Sequence, residues 1–316
     1  MPPNTSRRAV LTLLFAFASG AAACGGDGST NPPGLTQAAT RNETITVDGQ
    51  VRAFVVYAPS GVDPTQDLPV VMMLHGSSGD GPRYYGISGW KEKCEAVKCL
   101  AVFPSSRSYC ITKDGQQRTT TKWNAGDLPQ LACAGQVLYD DVKFFRQMVA
   151  FLQANYQVDR KRIYVTGFSN GGSMSSLLWS SASDLFAAVA ASAGYTRDLP
   201  APASPVPMYY TSGEVDDNDE EKTPYVPMPM NATVFQLPWV ANLVGNTLTK
   251  LGLTQSYTTQ STTNTVNFRF TDPASAGSEF DFMVVKGLDH QYANGNNSVV
   301  VYADIFWPFF ARFSKP

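Results

Sequence analysis

The sequence predicts an α/β fold in which a mostly parallel central sheet carries helices on both faces. Two continuous apolar runs, Leu68–Leu74 and Leu100–Pro104, have the length and composition of strands covered on both sides. Segments with apolar residues at helical spacing alternate with such runs along most of the chain. Residues 162–172 join a short β-branched and aromatic run, Arg162-Ile163-Tyr164-Val165, to a small-residue helical start with almost no loop between them.

In chain order, residues 1–24 read as an export signal and not as part of the fold. Arg7 and Arg8 form a basic start, residues 9–17 are apolar but too short to span a bilayer, and Ala21-Ala22-Ala23-Cys24 follows. The surroundings of Arg7-Arg8 resemble a twin-arginine signal. The alanines before Cys24 resemble a lipobox, which would make Cys24 the lipidated mature N-terminus; they also suit ordinary secretion. Residues 25–42, which open on Gly, Asn, Ser and Pro, are expected to form a flexible tether. Residues 43–316 are expected to be one catalytic domain.

Within that domain, residues 44–57 predict a β-hairpin, because Asp48-Gly49 suits a tight primed turn; Pro59 and Pro64 end it. Leu68–Leu74 is a central strand. It stops at His75-Gly76-Ser77-Ser78-Gly79-Asp80, a loop on the sheet edge where open α/β sheets bind ligands. Residues 90–97 are helix-like and Leu100–Pro104 is a strand. Residues 105–135 show little periodicity and carry Trp123-Asn124, Gly126 and two cysteines, so a long loop, functional or stapled, is expected. Leu138, Val142, Phe145, Met148, Val149 and Leu152 place a helix over 137–156. Strands are expected at 186–194, 206–211, 266–270 and 280–285, and a helix at 239–251. Residues 299–313 form an apolar final helix, interrupted by Pro308 and too short to cross a membrane, so burial against the sheet is expected.

The 316 residues are 43% hydrophobic, and 24 basic against 26 acidic side chains leave a net charge of −2. With no basic run, nucleic-acid binding lacks electrostatic support. No internal repeat is visible. Export places Cys94, Cys99, Cys110 and Cys133 in an oxidising compartment, which favours two disulfides. A zinc site fits less well, because C-x₂-C pairs are missing. Three pairings are open; Cys94–Cys99 with Cys110–Cys133 is the most local.

The chemistry centres on Val165-Thr166-Gly167-Phe168-Ser169-Asn170-Gly171-Gly172. So tight a strand–turn–helix strains the central residue. Side chains two positions either side would collide, so Gly167 and Gly171 are required there. The turn lifts the Ser169 hydroxyl clear of the sheet and aims a helix N-terminus at any oxyanion formed beside it. This is the form of the nucleophile elbow of α/β-hydrolases. A serine needs a base, and there are two histidines. His290 lies after the last strand, in the chain order Ser–acid–His, and is the expected base. His75 is expected to shape the oxyanion loop and to border substrate, with the Ser77 and Asn170 N–H groups as oxyanion donors. The acid is expected after the strand at 206–211, at Asp216, with Asp217 and Asp219 as rivals. The acidic run 217–221 reads otherwise as a solvated loop. Trp123 is expected either to line the cleft or to sit in the core. No metal and no organic cofactor is called for.

Leu74-His75-Gly76, Trp123-Asn124-Ala125-Gly126, Tyr139-Asp140-Asp141-Val142, the run 158–164, Gly167 to Gly172 and Gly213-Glu214-Val215-Asp216 occur in order. Together they resemble the extracellular polyhydroxybutyrate depolymerase and feruloyl esterase group, related to the family-one carbohydrate esterases. The resemblance implies an α/β-hydrolase fold, a Ser169–His290–Asp216 triad and hydrolysis of esters. The implied substrate is a polyester such as poly(3-hydroxybutyrate) or, alternatively, a feruloyl or acetyl ester on plant cell-wall polysaccharide. The sequence departs from the group's pattern after Asp216, where an acidic insertion precedes Pro224-Tyr225, and around His290. An exported serine peptidase and a non-catalytic binding lipoprotein are the remaining expectations from other classes. Contact with a membrane would come only through a lipid on Cys24.

Overall fold

The computed structural model describes residues 37–217, 226–275 and 277–316. The expected export signal, the tether up to residue 36, Cys24 and the rival acid Asp219 lie outside the described residues. Ten strands form one sheet in the order β1-β2-β4-β3-β7-β8-β9-β12-β11-β10. They are β1 (Ala39–Val47), β2 (Gln50–Ala58), β3 (Leu68–Leu74), β4 (Leu100–Pro104), β7 (Val158–Phe168), β8 (Ala188–Ser192), β9 (Met208–Gly213), β10 (Tyr257–Ser261), β11 (Thr265–Thr271) and β12 (Glu279–Val285). The centre, from β4 to β12, is parallel. Both margins are antiparallel: β1 and β2 join as the expected hairpin, β2 runs against β4, and β10-β11-β12 meander.

Alternation along the central strands divides the core in two. Val70, Met72 and Leu74 of β3 face one layer with Ile163 and Val165 of β7. That layer receives Phe145, Met148 and Leu152 of α4 (Asp141–Asn155), Met174 and Leu178 of α5 (Asn170–Ser181), and Val240 and Leu248 of α6 (Pro238–Leu251). Val71, Met73 and Tyr164 face the other layer. There they meet Tyr84 of α1 (Gly81–Ile87), Trp90 of α2 (Trp90–Val97), and Phe306 and Phe310 of α7 (Tyr302–Phe310). The chain crosses over between parallel strands with helices on alternate sides, which buries both faces.

Several expectations are corrected. The helix expected over 137–156 begins at Asp141, where the Asp140 carboxylate caps the Lys143 N–H. The last helix covers Tyr302–Phe310, and Val299 stands exposed before it. Residues 105–135 are not a plain loop. They contain a hairpin of β5 (Arg107–Lys113) and β6 (Gln116–Lys122) and one helical turn, α3 (Leu128–Leu131). Most β6 side chains are exposed, so no apolar alternation announces the strand. Cys110 pairs with Cys133 and closes this excursion; Cys94 pairs with Cys99 at the end of α2. These bonds leave no thiolate among the four for a zinc ion.

Candidate active site

The turn between β7 and α5 places Ser169 at φ 53°, ψ −122°, a backbone conformation that a side chain rarely adopts. The Ser169 N–H donates to the Ser192 carbonyl of β8 (2.8 Å), and its own carbonyl accepts from Ser173 in the helix (2.9 Å). The glycines are required for a reason the sequence reading only half anticipated. A Cβ on Gly167 would lie 2.2 Å from the Gly171 carbonyl oxygen, but one on Gly171 would strike the Leu74 carbonyl at 2.4 Å. The collision at Gly171 is with the end of β3, not across the turn. Gly194, which sequence reasoning did not single out, is as tightly placed: a Cβ there would lie 1.9 Å from the Ser169 carbonyl oxygen.

Three side chains from three separate strand ends meet at this turn. His290 Nε2 lies 2.9 Å from Ser169 Oγ, and His290 Nδ1 lies 3.1 and 3.2 Å from the two Asp216 carboxylate oxygens. Asp216 is buried, and Ser169 and His290 are half-buried. The loops that carry the acid and the histidine are stitched together: Glu214 N–H donates to Val285 (2.7 Å), Val215 N–H to Leu288 (3.0 Å), and Gly287 N–H to the Glu214 carboxylate (2.8 Å). The Phe168 ring lies 4.9 Å from the imidazole and backs it. Asp217, the described rival for the acid, is exposed and has no hydrogen bond to His290.

The loop after β3 runs beside the turn. A Cβ built on Gly76 would stand 3.3 Å from Ser169 Cβ, so Gly76 lets this loop approach the serine. Ser77 is exposed, and among the described residues its N–H has no hydrogen-bond partner. The Asn170 N–H opens helix α5, where the first amides have no intrahelical acceptor.

The sequence leads one to expect His75 to border substrate and Trp123 either to line the cleft or to sit in the core. His75 and Trp123 are both completely buried. His75 Nε2 accepts from the Ser106 N–H (2.9 Å), which leaves Nδ1 to donate to the Gly76 carbonyl (2.7 Å). Burial pushes His75 down to about 4, so the neutral ring and this tautomer persist in the folded state. Trp123 lies 4.9 Å from the His75 ring, and its indole N–H donates to the His75 carbonyl (2.9 Å). Both residues hold the walls of the site from behind. Thr196, also missed in the sequence, donates to the Ala125 carbonyl (2.7 Å) and ties the Trp123–Gly126 stretch to the loop after β8.

Residues 132–315, more than half of the chain, match the family model described as the prolyl oligopeptidase family. A bifunctional acetylxylan esterase/xylanase of Neocallimastix patriciarum is 26% identical over 179 residues, which is 56% of this chain and 23% of that protein. A poly(3-hydroxyalkanoate) depolymerase C of Paucimonas lemoignei is 29% identical over 138 residues, 44% of this chain and 30% of that protein. The chain thus spans less than a third of the length of either relative. Among solved structures, acetyl xylan esterase from Aspergillus awamori superposes with a TM-score of 0.57 at 17% identity, covering 86% of this chain and 99% of that one. That likeness is one of fold, and the fold is that of an α/β-hydrolase.

Proposed function

The chain belongs to the prolyl oligopeptidase family, and on that premise we propose that it is an exported serine esterase with Ser169, His290 and Asp216 as its triad. One observation carries the reading: the continuous hydrogen-bonded path Asp216–His290–Ser169 at the tip of a strained turn. In this reaction Ser169 Oγ attacks the ester carbonyl carbon while His290 Nε2 takes the hydroxyl proton. Asp216 accepts from Nδ1–H, which holds the ring in the tautomer that leaves Nε2 free and stabilises the imidazolium. The carbonyl electron pair moves to oxygen, where the Ser77 and Asn170 N–H groups receive it. Collapse expels the alkoxide, protonated by His290, and leaves an acyl-serine. Water, deprotonated by the same histidine, then releases the acid and restores the hydroxyl.

The proposed substrate is a polyester or its oligomers, of the poly(3-hydroxybutyrate) type; the likeness to a poly(3-hydroxyalkanoate) depolymerase supports it. A second reading, an acetyl or feruloyl ester on cell-wall polysaccharide, is supported by the acetylxylan esterase relative. The two disulfides support export, because such bonds persist in oxidising compartments. On this reading residues 1–24 direct export, Cys24 carries a lipid and 25–38 tether; the tether expected to reach residue 42 stops short of β1, where residues 39–42 pair with β2, so 39–316 catalyse.

Ester release from hydroxybutyrate oligomers, acetylated xylan and methyl ferulate, with a peptide amide alongside, tests the proposal. Ser169→Ala is expected to abolish ester release, a loss of about 10⁴-fold or more. Faster cleavage of the amide than of any ester would replace the esterase with a peptidase. Equal activity of wild type and Ser169→Ala would remove the enzyme reading altogether.

A further inference from the structure

The two proposed oxyanion donors sit on different elements: Ser77 on the loop after β3, Asn170 at the start of α5. An oxyanion hole acts only if its donors stand at a set separation, about 3 Å from where the charge develops. The two elements abut where Gly171 meets the Leu74 carbonyl and Gly76 meets Ser169. The end of the β5–β6 hairpin touches both.

Thr120 to Trp123 runs along the loop like a splint. Ser78 Oγ lies 2.7 Å from Thr120 Oγ1, the Ser78 N–H donates to the Thr121 carbonyl (3.0 Å), and Thr121 Oγ1 donates to the Gly79 carbonyl (2.6 Å). Trp123 continues it, with its indole N–H on the His75 carbonyl (2.9 Å). The next carbonyl, that of Gly76, accepts from His75 Nδ1–H (2.7 Å) and from the Gly79 N–H (3.1 Å). This carbonyl belongs to the same planar peptide unit as the Ser77 N–H. Fixing one end of the unit therefore fixes the direction of the other. At the same time the Trp123 main chain grips the second donor's residue. Its N–H donates to Asn170 Oδ1 (2.6 Å), and its carbonyl accepts from Asn170 Nδ2 (3.2 Å). Trp123 and Asn170 are both buried, so these bonds do not compete with water.

We infer that Trp123 is a positioning residue that sets the distance between the two oxyanion donors: its side chain holds the Ser77 arm and its main chain holds the Asn170 arm. The inference rests on the esterase reading above. It gives a role to a completely buried tryptophan. A misplaced donor weakens only the bonds made to the developing oxyanion, so the loss falls on kcat and not on KM.

Two variants test it. Trp123→Phe keeps a buried ring and removes the bond to His75. Asn170→Ala keeps the Asn170 N–H and removes both bonds to the Trp123 main chain. Each is compared with wild type in kcat and KM on a soluble acetyl ester, in the inhibition constant of a trifluoromethyl ketone, and in melting temperature. Each variant is expected to lose about tenfold to a hundredfold in kcat, less than complete removal of a donor costs. KM stays within about threefold, and ketone inhibition weakens by the same factor as kcat falls, because the ketone's tetrahedral adduct uses the same donors. A folded variant with unchanged kcat, or one that loses KM alone, overturns the role. If Trp123→Phe does not fold, Asn170→Ala alone decides it. Wild type inert toward every ester would instead sink the esterase reading and this role with it, an outcome visible before any variant is made.

Discussion

His75 is neutral and buried because its two ring nitrogens are both committed to the backbone around the site. Its folded pKa of about 4 lies below the 6.5 of the open chain. The unfolded chain therefore takes up a proton first as pH falls, and stability is lost between those two values; above pH 6.5 the contribution is fully present. The shift is worth about 3 kcal/mol. Urea unfolding at neutral pH and near pH 4 is expected to show a smaller acid loss in His75→Gln than in wild type; equal slopes would contradict the assignment. At Gly194 the expectation is harsher. Gly194→Ala puts a methyl group where the Ser169 carbonyl stands, and either the turn shifts or the chain fails to fold. Ester turnover by any soluble Gly194→Ala protein is expected to fall by at least about a hundredfold, since small misplacements of the nucleophile have that effect.

At the scale of elements, the β5–β6 hairpin is peripheral to the sheet yet sits on the loop that carries Ser77. The Cys110–Cys133 bond closes a separation of 23 residues, and the Gln136 amide adds hydrogen bonds to Cys110 at the same place. Removing the bond with Cys110→Ser and Cys133→Ser is expected to cost about 3 kcal/mol on the loop-entropy model. Turnover is expected to fall along with stability, because the splint loses its anchor. The Cys94–Cys99 bond spans only 5 residues, on the opposite face of the sheet. Its removal is expected to cost less, and to leave turnover intact at temperatures where the protein stays folded. Calorimetry paired with initial rates separates the two cases. Asp141, buried against Arg52 at 2.6 Å, supports the same region by accepting from the Asn124 N–H (2.8 Å). Burial holds its pKa above the usual range even with the guanidinium beside it.

Across the whole molecule, the sheet's far margin is closed by charge. On β12, Asp281 and Glu279 share a face with Asn267 and Arg269 of β11, under Arg312 beyond α7 and beside Tyr209 of β9. Burial, with Glu279 next to it, pushes Asp281 up to about 8. Glu279, although burial opposes it, is held below the usual range by Arg312, Asp281 and Arg269. The folded chain keeps the Asp281 proton through neutral pH, whereas the unfolded chain releases it near 3.8. Stability from this group is therefore fully present below pH 3.8 and is lost progressively as pH rises from there through about 8. Asp281→Asn, neutral and of the same shape, is expected to flatten the decline in melting temperature between about pH 4 and pH 8. An unchanged decline would show that Asp281 is ionised in the folded protein.

The elbow, the order Ser169–Asp216–His290 and the alternation of strands and helices were legible because each is a local signal. A buried strand must be apolar on both faces, a turn without a loop must have Gly167 and Gly171, and histidine suits the work of a base at neutral pH. The β5–β6 hairpin, β10 and the splint were not legible. Strand β10 is exposed at every residue and β6 at most, so neither carries hydrophobic periodicity. The buried state of Trp123 and His75 depends on partners up to 48 residues away. Residue type and spacing already specify the chemistry available and the strands that carry it. Which side chains face the site and which hold it from behind follows from contacts between distant segments, and no local pattern records those.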